Sequence, residues 1–101
     1  MTGRFDERVA VVTGAGGGIG EAYARGLHAE GALVVIAELD EEGGQRVADD
    51  LGDRALFVLT DVSDPTSTDA MAATTLESYG RIDHLVNNAA IFGEMDLAGL
   101  T

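Results

Sequence analysis

The sequence predicts an α/β fold in which a four-stranded parallel sheet carries helices on both faces, and three observations predict it. Four short apolar runs, at 8–13, 32–39, 55–60 and 83–88, are nearly continuous and rich in β-branched residues, as strands buried on both faces require. Helical periodicity fills each gap between them. Right-handed crossovers then make one parallel sheet with helices on both faces, and the doubly wound pattern has the strand order 3-2-1-4.

The elements follow in sequence. "RVAVVT" (8–13) reads as the first strand and runs straight into the glycine-rich "GAGGGIG" (14–20). Ile19, Ala22, Tyr23, Gly26 and Leu27 then recur at helical spacing until Gly31 ends the pattern. "ALVVIAEL" (32–39) is the second strand. Asp40 is a good N-cap for the next helix, with Glu41 and Glu42 in the first turn where the helix dipole favours them. Gly44, Val47, Ala48 and Leu51 form its inner face, and Gly52 stops it. After "ALFVLT" (55–60), Asp64 caps a third helix with Pro65 at its first position. Ala72, Leu76 and Tyr79 are expected to face inward there, and Gly80 closes it before "DHLVNN" (83–88). The tail "IFGEMDLAGLT" (91–101) has no period and reads as loop or the start of an incomplete element.

Composition bounds the function. The chain has 101 residues, enough for one domain or part of one, and its 46% hydrophobic content can supply a core. Eighteen acids against six arginines leave a formal charge of −12, a surface that repels nucleic acid and anionic lipid. No apolar run approaches the roughly 20 residues that span a bilayer. The first residues do not resemble a signal peptide, so a cytoplasmic location is expected. With no cysteine, and only His28 and His84 as imidazoles, neither a thiolate nucleophile nor a metal site is expected. The six basic residues are all arginine; the chain has no lysine.

The glycines sit where a first parallel strand turns into a first helix, the place where ligands bind outside the strand ends of such sheets. Unpaired N–H groups and the positive end of the helix dipole make a pyrophosphate a natural occupant, and a side chain there would hold it off. Residues 1–101 therefore read as a dinucleotide-binding Rossmann-type half-domain, half of a doubly wound fold. The spacing is Gly14-x-x-x-Gly18-x-Gly20, and no G-x-G-x-x-G register fits.

"TGAGGGIG" (13–20) resembles the T-G-x-x-x-G-I-G cofactor motif of the short-chain dehydrogenase/reductase family. Three further segments match in order. Glu38 of "VVIAELD" stands where NAD-using members carry an acid for the adenosine ribose, 18 residues beyond Gly20. "TDVSD" supplies Asp61 and Val62, which in the family flank the adenine. "NNAA" (87–90) is similar to the family's N-N-A-G segment, with Ala90 in place of glycine. The resemblance implies a cofactor-binding set of Gly14, Gly17, Gly18, Ile19, Gly20, Glu38, Leu39, Asp61, Val62, Asn88, Ala89 and Ala90. It makes Asn87 a sheet-bracing residue and Thr13 a support of the glycine turn.

The implied cofactor is NAD, with NADP disfavoured by Glu38 and by the lack of a cation in "GAGGGIG" or "AELDEE". The implied partners are that dinucleotide and, in a longer parent protein, an alcohol or ketone substrate and further copies of itself. The family's catalytic Ser, Tyr-x-x-x-Lys pair and Asn lie in its second half. Tyr23 is followed four places on by Leu27 and Tyr79 by Asp83, so no catalytic residue is assigned. Ser63, Ser67 and Ser78 read as turn or surface residues. The expected function is the NAD-binding part of an oxidoreductase. The alternative is a non-catalytic dinucleotide-binding or interaction module; a methyltransferase-like domain is disfavoured by the glycine spacing and "NNAA".

Overall fold

The computed structural model describes residues 5–88. Seven elements alternate along them: β1 (Val9–Thr13), α1 (Gly18–Ala29), β2 (Leu33–Glu38), α2 (Glu41–Leu51), β3 (Ala55–Leu59), α3 (Pro65–Tyr79) and β4 (His84–Asn87). All strand pairs are parallel and the order is β3-β2-β1-β4, as the sequence predicts. The expectations for Ala89, Ala90 and the tail 91–101 fall outside the described residues.

Alternation along β1 and β2 builds a core on each face of the sheet. Val12, Val34 and Ile36 point to one side, where Ala24 of α1 and Val47 and Ala48 of α2 cover them. Val11, Val35 and Ala37 point to the other, covered by Met71 of α3 with Leu56 and Val58 of β3 alongside. Valine and isoleucine suit both positions because a central strand has no solvent face to serve. All of β1 is buried.

Two helices turn a different face inward from the one their apolar spacing picks out. In α1, Ile19 and Tyr23 are 68% and 52% exposed, and the buried residues are Gly20 and Ala24. Of the spaced set, Leu27 packs against the core. In α3, Tyr79 of the expected set packs against the core, but Leu76 is 50% exposed and the buried residues are Met71 and Thr75. The reason is the same in kind. Small residues let α1 lie close on the sheet, and Thr75 is buried at little cost because its hydroxyl donates to the Met71 carbonyl at 2.9 Å. Hydrophobicity alone ranks Gly and Thr below Ile and Leu and so selects the wrong stripe.

Helix ends follow the sequence more closely. Asp64 caps α3 by accepting from the Thr66 N–H at 2.9 Å, Pro65 opens the helix, and Gly80 closes it with φ 81°. Asp40 holds the N-cap position of α2, but its side chain makes no capping bond. The pair Gly43–Gly44 costs about 1 kcal/mol per glycine against alanine in a helix, and close approach explains it. A Cβ on Gly44 would run into the Phe57 ring, and one on Gly43 would come within 2.8 Å of the Gly16 carbonyl oxygen.

At the amino ends of the strands, Asp83 clasps β1 to β4. Its Oδ2 accepts from the Val9 N–H at 2.8 Å, its own N–H donates to the Val9 carbonyl at 2.9 Å, and Arg81 donates to Oδ1 at 2.7 Å. The Val9 N–H, then Arg81, hold the Asp83 carboxyl below the usual aspartate range. A depressed pKa contributes stability that is complete above the unfolded value, about 3.9, and is lost as pH falls through the folded one. Denaturant melts between pH 6 and pH 3 should show a drop in midpoint below about pH 4. In Asp83→Asn that part of the drop should be missing; an identical pH profile in both proteins contradicts the clasp.

Candidate nucleotide-binding site

Every strand leaves the sheet at the same edge, so the four strand exits bring the predicted site residues together. The β1–α1 turn carries Gly14, Gly17, Gly18, Ile19 and Gly20; β2 ends in Glu38 and Leu39; β3 leads into Asp61 and Val62; β4 leads into Asn88. Residues spread over 75 positions of sequence thus share one rim.

The glycine turn is shaped by two demands. Gly14 and Gly18 have φ of 65° and 58°, a region that side chains strain to enter. Gly20 instead is needed for closeness: a Cβ there would collide with the Gly14 carbonyl and sit 2.6 Å from Asn88 Nδ2. Neither demand applies to Gly17, whose φ is 174° and whose Cβ would meet nothing within 4 Å. No side chain caps α1, so its leading N–H groups lack the acceptor that a capping side chain would supply.

Thr13 fastens this turn to β4. Its hydroxyl donates to Asn87 Oδ1 at 3.0 Å and accepts from the Asn88 N–H at 2.9 Å. Asn88 Nδ2 lies 3.4 Å from the Gly14 carbonyl oxygen. The bracing expected of Thr13 and Asn87 is therefore in place.

Glu38 fastens it to β2. One carboxylate oxygen accepts from the Gly16 N–H at 2.7 Å; the other accepts from the N–H groups of Leu39 and Asp40 at 2.9 and 3.0 Å. The acid is thus held in one orientation at the strand exit rather than waving in solvent. Leu39, Leu59 and Ile19 expose large aliphatic surfaces along the same rim.

Asp61 forms a compact turn. Its Oδ1 accepts from the Ser63 hydroxyl at 2.6 Å and the Ser63 N–H at 3.0 Å, and these two bonds, the hydroxyl first, lower its pKa. Its own N–H donates to the Ser67 hydroxyl oxygen at 2.8 Å. Ser63 is a turn residue and Ser67 sits in the first turn of α3.

Arg46 is the residue that the strand-exit motifs miss. It lies on α2, yet its guanidinium donates to the Gly16 carbonyl at 3.2 Å and to Glu21 Oε1 at 3.0 Å. Arg46, then Arg25, hold the Glu21 carboxyl below the usual range. With Gly16, Asp40, Glu42 and Gly43, Arg46 lines an open cavity of about 260 Å³ beside Glu38's strand exit. The one sequence signal for this was the costly Gly-Gly pair one turn before it.

The tyrosines lie elsewhere. Tyr79 ends α3, which runs back from the rim, so it sits toward the far edge, where burial raises its pKa. Tyr23 is a turn and a half into α1 with its ring half-exposed.

Residues 8–100 match the short chain dehydrogenase family. The chain is 48% identical over 89 residues to a meso-2,3-butanediol dehydrogenase of Serratia marcescens, covering 87% of this chain and 36% of the relative. Among solved structures it is similar to a 3-ketoacyl-(acyl-carrier-protein) reductase from Brucella melitensis complexed with NADH. The TM-score is 0.84 at 44% identity, over 86% of this chain and 36% of that one. A short chain dehydrogenase/reductase from Burkholderia phymatum in complex with NAD gives 0.78 at 39% identity, over 80% and 30%. The chain thus spans about a third of the length of the relatives it matches. A family match over nearly the whole chain, on a parallel sheet whose glycine turn and strand exits have this geometry, establishes that the chain belongs to the short-chain dehydrogenase/reductase family.

Proposed function

We propose that this rim binds NAD(H), with the pyrophosphate on the glycine turn, and that the chain supplies the cofactor-holding part of an alcohol–ketone oxidoreductase. The observation that carries the reading is Gly17. Neither its backbone angles nor its neighbours require glycine, and without a side chain the N-terminus of α1 beside it stays open to a ligand. The uncapped N-terminus of α1 beside it favours an anion. Glu38, already oriented by backbone N–H groups, can accept from ribose hydroxyls. Leu39 and Val62 offer apolar cover for adenine, with Asp61 able to accept from its amino group. Asn88, which follows β4, belongs to the assigned set together with Ala89 and Ala90. The bound cofactor would supply the hydride; these residues bind and orient it.

Two glycine substitutions separate binding from folding. Gly17→Ala should leave the thermal midpoint unchanged and weaken NADH binding by about tenfold or more, because its methyl group stands where the phosphate approaches. Gly20→Ala should lower the midpoint as well, since its Cβ overlaps the Gly14 carbonyl. Calorimetric titration beside a melt reads both; full affinity in Gly17→Ala contradicts the reading.

The site should prefer NAD over NADP. A 2′-phosphate would meet Glu38 with Asp40 and Glu42 nearby, and like charges ~4 Å apart repel by up to roughly 4 kcal/mol at an effective dielectric near 20. Arg46 supplies the cation that the strand-exit segments lack, but Glu21 and the Gly16 carbonyl already engage it. We expect about ten- to a hundredfold tighter binding of NADH than of NADPH. Equal affinities would rule out a selecting role for Glu38.

Hydride transfer to a carbonyl also needs a proton or hydrogen-bond donor at the oxygen that becomes negative. The chain has no lysine to lower a tyrosine pKa, and Tyr79 is raised by burial. Residues 1–101 alone should therefore give no change in reduced-nicotinamide absorbance with a panel of ketones and secondary alcohols. A longer parent protein should. Reproducible turnover by the 101 residues would mean that a catalytic group lies among them.

A further inference from the structure

Gly16 is one of two turn glycines outside the Gly14–Gly18–Gly20 spacing, and its peptide groups are gripped from both sides. Its N–H donates to Glu38 Oε1 at 2.7 Å. Its carbonyl accepts from Arg46 Nη2 at 3.2 Å, and the same nitrogen reaches Glu21 Oε1 at 3.0 Å. Arg25 holds the other Glu21 oxygen at 2.8 Å. Gly43 makes the approach possible, because a Cβ there would lie 2.8 Å from the Gly16 oxygen and 2.7 Å from Asp40 Oδ2. The turn is thus docked on the first turns of α2, with α1 joined through Glu21.

The peptide between Gly16 and Gly17 is trans, so its C=O and N–H point in opposite directions. Holding the Gly16 oxygen toward α2 therefore aims the Gly17 N–H away from α2. We propose that Arg46, seated against Gly43, is a positioning residue that orients the Gly16–Gly17 peptide so that the Gly17 N–H faces the nucleotide's phosphates. This rests on the dinucleotide reading above. It adds that α2, which carries no residue of the glycine motif, helps to set affinity for phosphates. Arg46 acts through geometry: the two hydrogens of its Nη2 are fixed in the guanidinium plane and serve the Gly16 carbonyl and the Glu21 carboxylate, whereas an ammonium is a point charge on a flexible stem.

The test compares Arg46→Lys, which keeps the charge, with Arg46→Met, which keeps only the stem. Each is titrated with NADH, ADP and adenosine, and the Gly17 amide resonance is followed without ligand. Both variants should bind NADH and ADP about three- to tenfold more weakly, bind adenosine within about twofold of the parent, and shift the Gly17 resonance. Full affinity in Arg46→Lys alone would mean that charge and not orientation matters, and would overturn the proposal. So would an equal loss for adenosine, or unchanged NADH and ADP affinity in both variants. If the unsubstituted chain binds none of the three probes, the dinucleotide reading fails. The ligand-free Gly17 resonance then decides the positioning role alone: a shift in both variants upholds it, and an unmoved resonance overturns it.

Discussion

Where β1 ends, Gly20 at the start of α1 lies against the carbonyl of Gly14 so closely that no side chain fits between them, and the Asn88 amide closes the third side. That approach determines how α1 leaves the sheet. Because it does, the helix can start at Gly18 with its N-terminal N–H groups at the rim, and the turn between is short enough to need positive φ at Gly14 and Gly18. Everything else at the rim is arranged around this crossing. Thr13 ties it to β4, Glu38 ties it to β2, and Arg46 ties it to α2.

The electrostatics follow from the same arrangement. In a chain of net charge −12, the rim offers the backbone N–H groups at the start of α1, whose partial charge does not depend on side chains, beside Arg46, which Glu21 and the Gly16 carbonyl already engage. Arginine is used structurally. Arg54 donates to the carbonyls of His28 and Ala32 where α1 gives way to β2, Arg81 secures Asp83, and Arg25 and Arg46 converge on Glu21. An acidic protein can thereby hold an anionic cofactor without a basic patch, since the field that matters is local and set by backbone orientation.

The sheet was legible because central parallel strands leave little freedom. Valine and isoleucine runs such as "VAVV" and "LVVI" fit a strand buried on both faces, and the doubly wound pattern carries the order 3-2-1-4. The helix limits were legible where capping chemistry is explicit, as at Asp64, Pro65 and Gly80. Inner faces were harder, because Gly20, Ala24 and Thr75 gain burial through closeness and a local hydroxyl bond, neither of which hydrophobicity records. The strand-exit residues were legible through spacing and family resemblance. Arg46 was not, because its partners Gly16 and Glu21 lie 30 and 25 positions away and only the fold brings α2 against the turn.

We propose that one rim, built around the Gly14–Gly20 crossing, is a preformed dinucleotide seat. Amide-resonance mapping of the chain during NADH titration addresses this most directly. The shifts should cluster at Gly14–Gly20, at Glu38 to Asp40, at Asp61 and Val62, and at Asn88. Gly31, Gly80 and Asp83 at the far edge of the sheet should stay in place. Shifts centred on that far edge, or saturating binding that leaves Gly17 and Gly18 unmoved, would contradict it.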